Sequence, residues 1–340
     1  MSSRQSEIPY SVLDLAVVTQ GTTISETIQK SRELAKHVEE WGYNRFWMAE
    51  HHNMENIASS ATSVLLGHIA EATSTIRVGS GGVMLPNHSP LVIAEQFGTL
   101  AEMYPDRIDL GLGRAPGTDQ VTANAIRQDR MREVQRFPQN VRQLQTYLSA
   151  DNRDSRVRAI PGEGTDVPIW ILGSSTDSAH LAAELGLPYA FASHFAPQQL
   201  MPALKIYRQR FKPSAQLDEP YVMPGINVVI GEADEQAQFL STSMKQMFMG
   251  VVTGDRSPMP PPVDDMGEIW NMHIKAGVEH MLEYSFVGDK ERVKKRVDEF
   301  IEMTEADEVM MASYIYDHQE RLKSHRRFSE IMQEKERQIK

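Results

Sequence analysis

The chain has 340 residues, of which 41% are hydrophobic and 24% charged, with no cysteine and a formal net charge of −11. That is chain enough for one large or two medium globular domains, and the missing cysteines exclude disulfides, thiolate catalysis and Cys-bound zinc or iron–sulfur centres. The acidic total argues against a nucleic-acid partner, which needs a basic face, but leaves room for a phosphate held by one Arg or a helix N-terminus.

In chain order, "SVLDLAVV" (11–18) reads as a strand, and Thr23 with Glu26 forms a capping box ahead of a helix with Ile24, Ile28, Ala35, Val38 and Trp41 on one face. "YNRFWMA" (43–49) is a second strand and 58–73 a second helix. "IRVGSGGVML" (76–85) is a third strand, followed by a helix that opens at Pro90. "RIDLGLG" (107–113) is a fourth strand, with a long helical region over roughly 119–149. "VPIWILG" (167–173) and "PYAFAS" (188–193) are strands five and six, separated by a short helix from Asp177 to Gly186, and a helix near 197–211 follows. "YVMPGINVVIG" (221–231) is the seventh strand, and "ADEVMMAS" (306–313) the eighth, after a helix over 289–304. A charged terminal helix covers 317–340, and the proline-rich stretch 254–265 within a 250–280 insertion is either a lid or a surface loop. Eight βα units predict a single (β/α)8 TIM barrel over 1–340, with the insertion between strands seven and eight. No run of about 18 apolar residues predicts a membrane span. The start "MSSRQSEIPY" has no apolar leader core, so a cytoplasmic protein is expected.

In such a barrel the chemistry gathers where strands end. Strand two ends in Glu50, His51 and His52, strand three in Asn87 and His88, strand four in Gly111, Gly113 and Arg114, strand five in Gly173, Ser174 and Ser175, and strand six in Ser193 and His194. Adjacent His51 and His52 point to opposite sides of an extended chain, which argues against a shared metal ion and leaves either an acid/base or hydrogen-bonding imidazole or ordinary loop polars. "DLGLGRAPGT" (109–118) has the spacing G-x-G-x-x-x-G and lacks the downstream acidic residue of a dinucleotide site. Arg114 there either pairs with a phosphate or joins a structural ion pair. "ILGSSTDSAHLAAELG" (171–186) runs from strand into helix with Thr176, Asp177 or Ser178 as cap, an anion site or a plain N-cap. Gly79, Gly81 and Gly82 inside strand three mark either a bulge or the close approach of a ligand.

The segments "NRFWMAEHH", "IRVGSGGVMLPNHSPLVIAEQFGTLAEMYPDRIDLGLGRAPG" and "PIWILGSSTDSAHLAAELGLPYAFASHF", in this order, resemble the bacterial-luciferase-like flavin monooxygenases, including smaller bacterial relatives of mostly unassigned substrate. The resemblance implies a (β/α)8 barrel that binds reduced FMN and activates O2 as a C4a-hydroperoxyflavin to oxidise a small organic substrate. It implies His51 as the catalytic histidine with Glu50 and His52 in support, and Gly81–Gly82 as a non-prolyl cis peptide under the flavin. Arg114, Ser174, Ser175 and Ser178 are the implied phosphate ligands. A separate flavin reductase would supply electrons, and a homodimer would form through the helices beside strands two and three. Gly113 stands where the luciferase catalytic subunit has a reactive cysteine, so light emission is not implied. The competing readings are a metal-dependent hydrolase using His51 and His88, a non-catalytic flavin carrier, and a barrel for the deazaflavin F420.

Overall fold

Alternation along the strands decides the architecture. Val12 in β1 (Tyr10–Asp14), Phe46 in β2 (Arg45–Met48) and Val78 in β3 (Arg77–Met84) pack in one buried cluster with the helix residues Leu34, Val38, Leu66 and Phe97. Their neighbours Leu13 and Trp47 pack in a second cluster with Trp170, Met223 and Met310. Odd and even positions thus bury opposite faces, as strands of a fully covered parallel sheet must. The computed structural model describes the backbone of residues 8–339 and the side chains of 8–334. Residues 1–7 of the opening stretch "MSSRQSEIPY", and Lys340 of the expected terminal helix, lie outside the described residues.

The next strands are β4 (Ile108–Gly113), β5 (Ile169–Gly173), β6 (Tyr189–Phe191) and β7 (Val222–Ile230), followed by β8 (Ser285–Gly288) and β9 (Val309–Ala312). Every pairing between them is parallel, and the ring β1-β2-β3-β4-β5-β6-β7-β9 closes because β6 pairs with β7 and β9 with β1. The expected eight-stranded barrel is therefore present. β8 is an addition: it pairs only with the end of β7, from Asn227↔Ser285 to Ile230↔Gly288, outside the closure. Its four residues, SFVG, are too few to show a period.

Helix α1 (Ile24–Glu40) begins with the expected capping box, in which Glu26 N donates to Thr23 Oγ1 and Thr23 N to Glu26 Oε2. Helices α2 (Thr62–Ala72) and α3 (Pro90–Met103) follow their strands, Pro90 occupying the first turn. The region 119–149 is not one helix but three: α4 (Gln120–Ile126), α5 (Arg130–Gln135) and α6 (Phe137–Leu148). Asp119 caps α4 by accepting from Thr122 N, and Pro138, without an N–H, starts α6 afresh. α7 (Thr176–Leu185), α8 (Leu200–Arg210), α9 (Asp234–Thr253), α10 (Met272–Met281), α11 (Lys290–Thr304) and α12 (His318–Ile339) complete the chain. Among the described residues no helix is long and apolar enough to cross a membrane.

The strand-start end of the barrel is sealed by ion pairs. Arg45 reaches Asp109 (2.7 Å) and Glu308 (3.1 Å), Arg77 also reaches Asp109, and Trp47 Nε1 donates to Asp109. With both carboxylates buried, these charges are compensated pairwise. That leaves the opposite end for chemistry.

Candidate active site

Because the barrel strands are parallel, residues 50–52, 84–88, 114, 174–175 and 194 all emerge at one rim. Glu50 is the hub of its β2 side. It is buried, and its carboxylate accepts from His52 Nε2 (2.8 Å), His88 Nε2 (2.9 Å), Asn87 Nδ2 (3.1 Å) and the Met84 backbone N–H (2.9 Å). Burial alone would raise its pKa, but the hydrogen bonds from His52 and His88 outweigh it and hold the carboxyl at about 2. Gly117 lets the loop after β4 close on this hub: its φ is +65°, and a Cβ there would lie 2.5 Å from the Glu50 carbonyl oxygen. That loop grips His52 twice, through Gly117 O and through Thr118 Oγ1.

His51 turns the other way, as an extended chain requires. Its backbone N–H donates to Ser59 O, its Nδ1 is sealed from solvent without a partner, and its Nε2 bonds to no described residue. Burial, opposed by the Glu50 charge, pushes its pKa down to about 4, so the ring is neutral near pH 7. Glu50, His52 and His88 interlock through the carboxylate. Among the described residues no group of three His, Cys, Asp or Glu side chains is arranged to hold a metal ion.

The second group of expected site residues lies after β4 and β5. Arg114 is half exposed and pairs with Asp177 Oδ2 at 3.2 Å. The α7 cap is Ser175, one residue earlier than expected, and its side chain makes no capping bond. Ser174 and Ser175 hydroxyls have no partner among the described residues, while Ser178 Oγ is committed to Ser175 O (2.7 Å) and Tyr189 OH (2.9 Å). Thr176 N donates to Gln199 Oε1, and the rest of the first turn offers free N–H groups. The buried Arg130, given no role by the sequence reasoning, links the flanks: its Nη2 donates to Arg114 O and its Nε to Asn87 Oδ1, which in turn adjoins Glu50. Only its helical neighbourhood was legible; nothing local marked it as facing the rim.

Between the flanks, the Gly81–Gly82 peptide is cis and the β3–β4 register shifts between Gly81 and Val83. A Cβ at Gly82 would meet the Gly111 carbonyl oxygen at 2.7 Å, backbone that cannot yield, whereas one at Gly81 would meet the Leu13 Cδ1 methyl at 2.7 Å and force that side chain to shift. Met54, Ile57, Met244, Met247, Phe248 and Met259 pack in the same apolar cluster as Leu13 and Trp47, the side chains that face Gly81. Met259 belongs to the proline-rich loop, which is tied down by backbone bonds with Val18 and Gln20 and by Arg256 to Asp119 (2.9 Å). A cavity of about 230 Å³ lies on the far side of Met244, lined also by Lys245, Trp270, Arg292 and Arg296, and takes in none of residues 50–52, 84–88, 114, 174–175 or 194.

A family model described as "Luciferase-like monooxygenase" matches residues 8–308. The chain belongs to that family. A luciferase-like monooxygenase of Escherichia coli (strain K12) is 50% identical over 317 residues, covering 93% of this chain and 95% of its own. The crystal structure of apo-MsnO8 superposes with a TM-score of 0.86 at 34% identity, covering 96% of this chain and 99% of that one. The oxygenating constituent of 3,6-diketocamphane monooxygenase from Pseudomonas putida, solved in complex with FMN, has a TM-score of 0.72 over 96% of this chain and 98% of its own. At 14% identity it shares the fold alone. The luciferase-like family places this chain among monooxygenases.

Proposed function

We propose that this protein is a monooxygenase that uses reduced FMN and O2 to oxidise a small organic substrate, with electrons delivered by a separate flavin reductase. The observation that carries the reading is the pairing, on one rim, of a cation beside an open helix start with a buried imidazole whose nitrogen lacks a partner. The solved relative that holds FMN on the same fold supports it.

The residues fit such a group. Arg114, the Ser174 and Ser175 hydroxyls and the α7 N–H groups bind the phosphate, Asp177 yielding its partner when the phosphate arrives. Ser178 acts through its backbone N–H and by holding the Ser175 carbonyl. Gly81 and Gly82 leave the ring a floor without side chains, and His51 faces the ring with a neutral nitrogen. Glu50 acts through His52, His88 and the Met84 N–H, fixing the backbone that carries both His51 and the glycines. Reduced FMN, once bound, supplies the electrons and the atom that meets O2. The methionine-rich cluster excludes water and seats an apolar substrate, with the 250–280 insertion, including the proline-rich stretch 254–265, as its lid. A homodimer forms through α2 and α3, which expose Val64, Val92 and Met103.

Anaerobic titration with FMNH2 tests the reading. Saturable binding at micromolar concentration is expected, together with oxygenated product when a reductase and O2 are supplied. Absence of saturable FMNH2 binding would reject it.

A further inference from the structure

β2 and β6 stand four strands apart in an eight-strand ring, so they face each other across the mouth. His51 leaves the end of β2 and His194 the end of β6. Each ring has an Nδ1 sealed from solvent with no partner, and the His194 pKa is depressed by burial first and by His51 second. His194 is only 7% exposed, yet its Nε2 bonds to no described residue.

This placement is built. Gly225 in β7 makes room for the ring, since a Cβ there would lie 2.5 Å from His194 Nδ1. Ser193 Oγ donates to Gly225 O at 2.6 Å, and Asn227 Nδ2 donates to the His194 carbonyl, pinning its backbone to β7. Phe195 meets the ring edge-on, with centroids 5.0 Å apart. Three devices therefore hold a buried imidazole that satisfies nothing in the protein, which is costly unless a ligand supplies the missing partner.

We infer that His194 is a second ligand-contacting residue of this site, presenting Nε2 of a neutral ring to the polar edge of the bound isoalloxazine, across the mouth from His51. The inference rests on the flavin reading. The carbonyl and imide N–H groups of that edge suit a neutral imidazole, which is acceptor or donor according to tautomer. An aliphatic amide could replace it at Nε2; a phenyl ring of the same shape could not.

The test is equilibrium binding of FMN and of lumiflavin, which lacks the phosphate, to the full-length chain, read by fluorescence quenching and by the visible absorption band of the bound ring. His194→Phe is expected to weaken both ligands about tenfold, the size of one hydrogen bond, and to shift the band. His194→Gln should recover most of the affinity. Arg114→Ala should weaken FMN and leave lumiflavin unchanged. Gly225→Ala, which displaces the ring without removing it, should weaken lumiflavin too, and decides the matter if the Phe variant fails to fold by circular dichroism. Lumiflavin affinity equal to wild type in folded His194→Phe, or in Gly225→Ala, would overturn the assignment while leaving the flavin reading intact. A wild-type protein that binds neither oxidised flavin nor, in the anaerobic titration, FMNH2 would overturn both.

Discussion

Replacing Glu50 by Gln keeps the size of the side chain and removes its charge. The carboxylate accepts from two imidazoles, one amide and one backbone N–H, and a carboxamide cannot, because one of its two ends is itself a donor. The folded environment lowers the Glu50 pKa from 4.5 to about 2. At about 1.4 kcal/mol per unit this amounts to about 3 kcal/mol of stability, undiscounted because the group is buried. The sign follows from the depressed value: the contribution is complete above the unfolded pKa and is lost as pH falls from about 4.5 towards 2. Urea unfolding of both proteins, followed by tryptophan fluorescence, should give a midpoint difference worth about 3 kcal/mol at pH 7 with an unchanged slope. The difference should stay level down to about pH 5 and narrow below it. A difference under about 0.5 kcal/mol at pH 7, the range of an ordinary surface change, or one equally large in strong acid, would refute the reasoning.

Other consequences are as direct. Arg114→Ala should change apo stability by less than about 0.5 kcal/mol, because its pair with Asp177 is exposed, while weakening FMN about ten- to a hundredfold by titration. Asp177→Asn should do the opposite for affinity, tightening FMN several-fold at low salt, since the phosphate no longer competes with a carboxylate for Arg114; unchanged affinity would show that Arg114 does not meet the phosphate. Gly111→Ala should cost about 3 kcal/mol or abolish soluble expression, because its Cβ would stand 2.1 Å from the Ser80 carbonyl oxygen. Burial holds His51 and His194 near 4, below their ordinary 6.5, so the unfolded chain takes up protons that the folded one refuses. Stability should therefore fall as pH drops from about 6.5 to 4, and His194→Phe should flatten that slope in pH-dependent urea unfolding.

Local chemistry made much of this legible from the chain alone. Strands buried on both faces must read as continuous apolar runs, and those runs, punctuated by helices, implied the closed barrel. Thr23 with Glu26 and Pro90 announced helix starts because capping and a missing N–H act within one turn. The crowded glycines of β3 were visible because a glycine inside a strand costs packing and needs a reason. His51 and His52 were separable because successive residues of an extended chain face apart.

What stayed hidden depends on contacts between distant segments. β8 forms because β7 runs on past its barrel partners and offers an edge, which no four-residue stretch can reveal. The breaks in 119–149 have local causes in Asp119 and Pro138, but the bonds that seat α4 and α5, Asn53 to Thr122 and Arg130 to Asn87, join distant segments. Arg130 gains a role only when folding lays it between Arg114 and Asn87, and His194 only when ring closure sets β6 opposite β2 and Gly225 opens space for the imidazole. Residue type and period are properties of a segment; which polar atoms end up buried without a partner is a property of the closed barrel, since it depends on everything that packs around them.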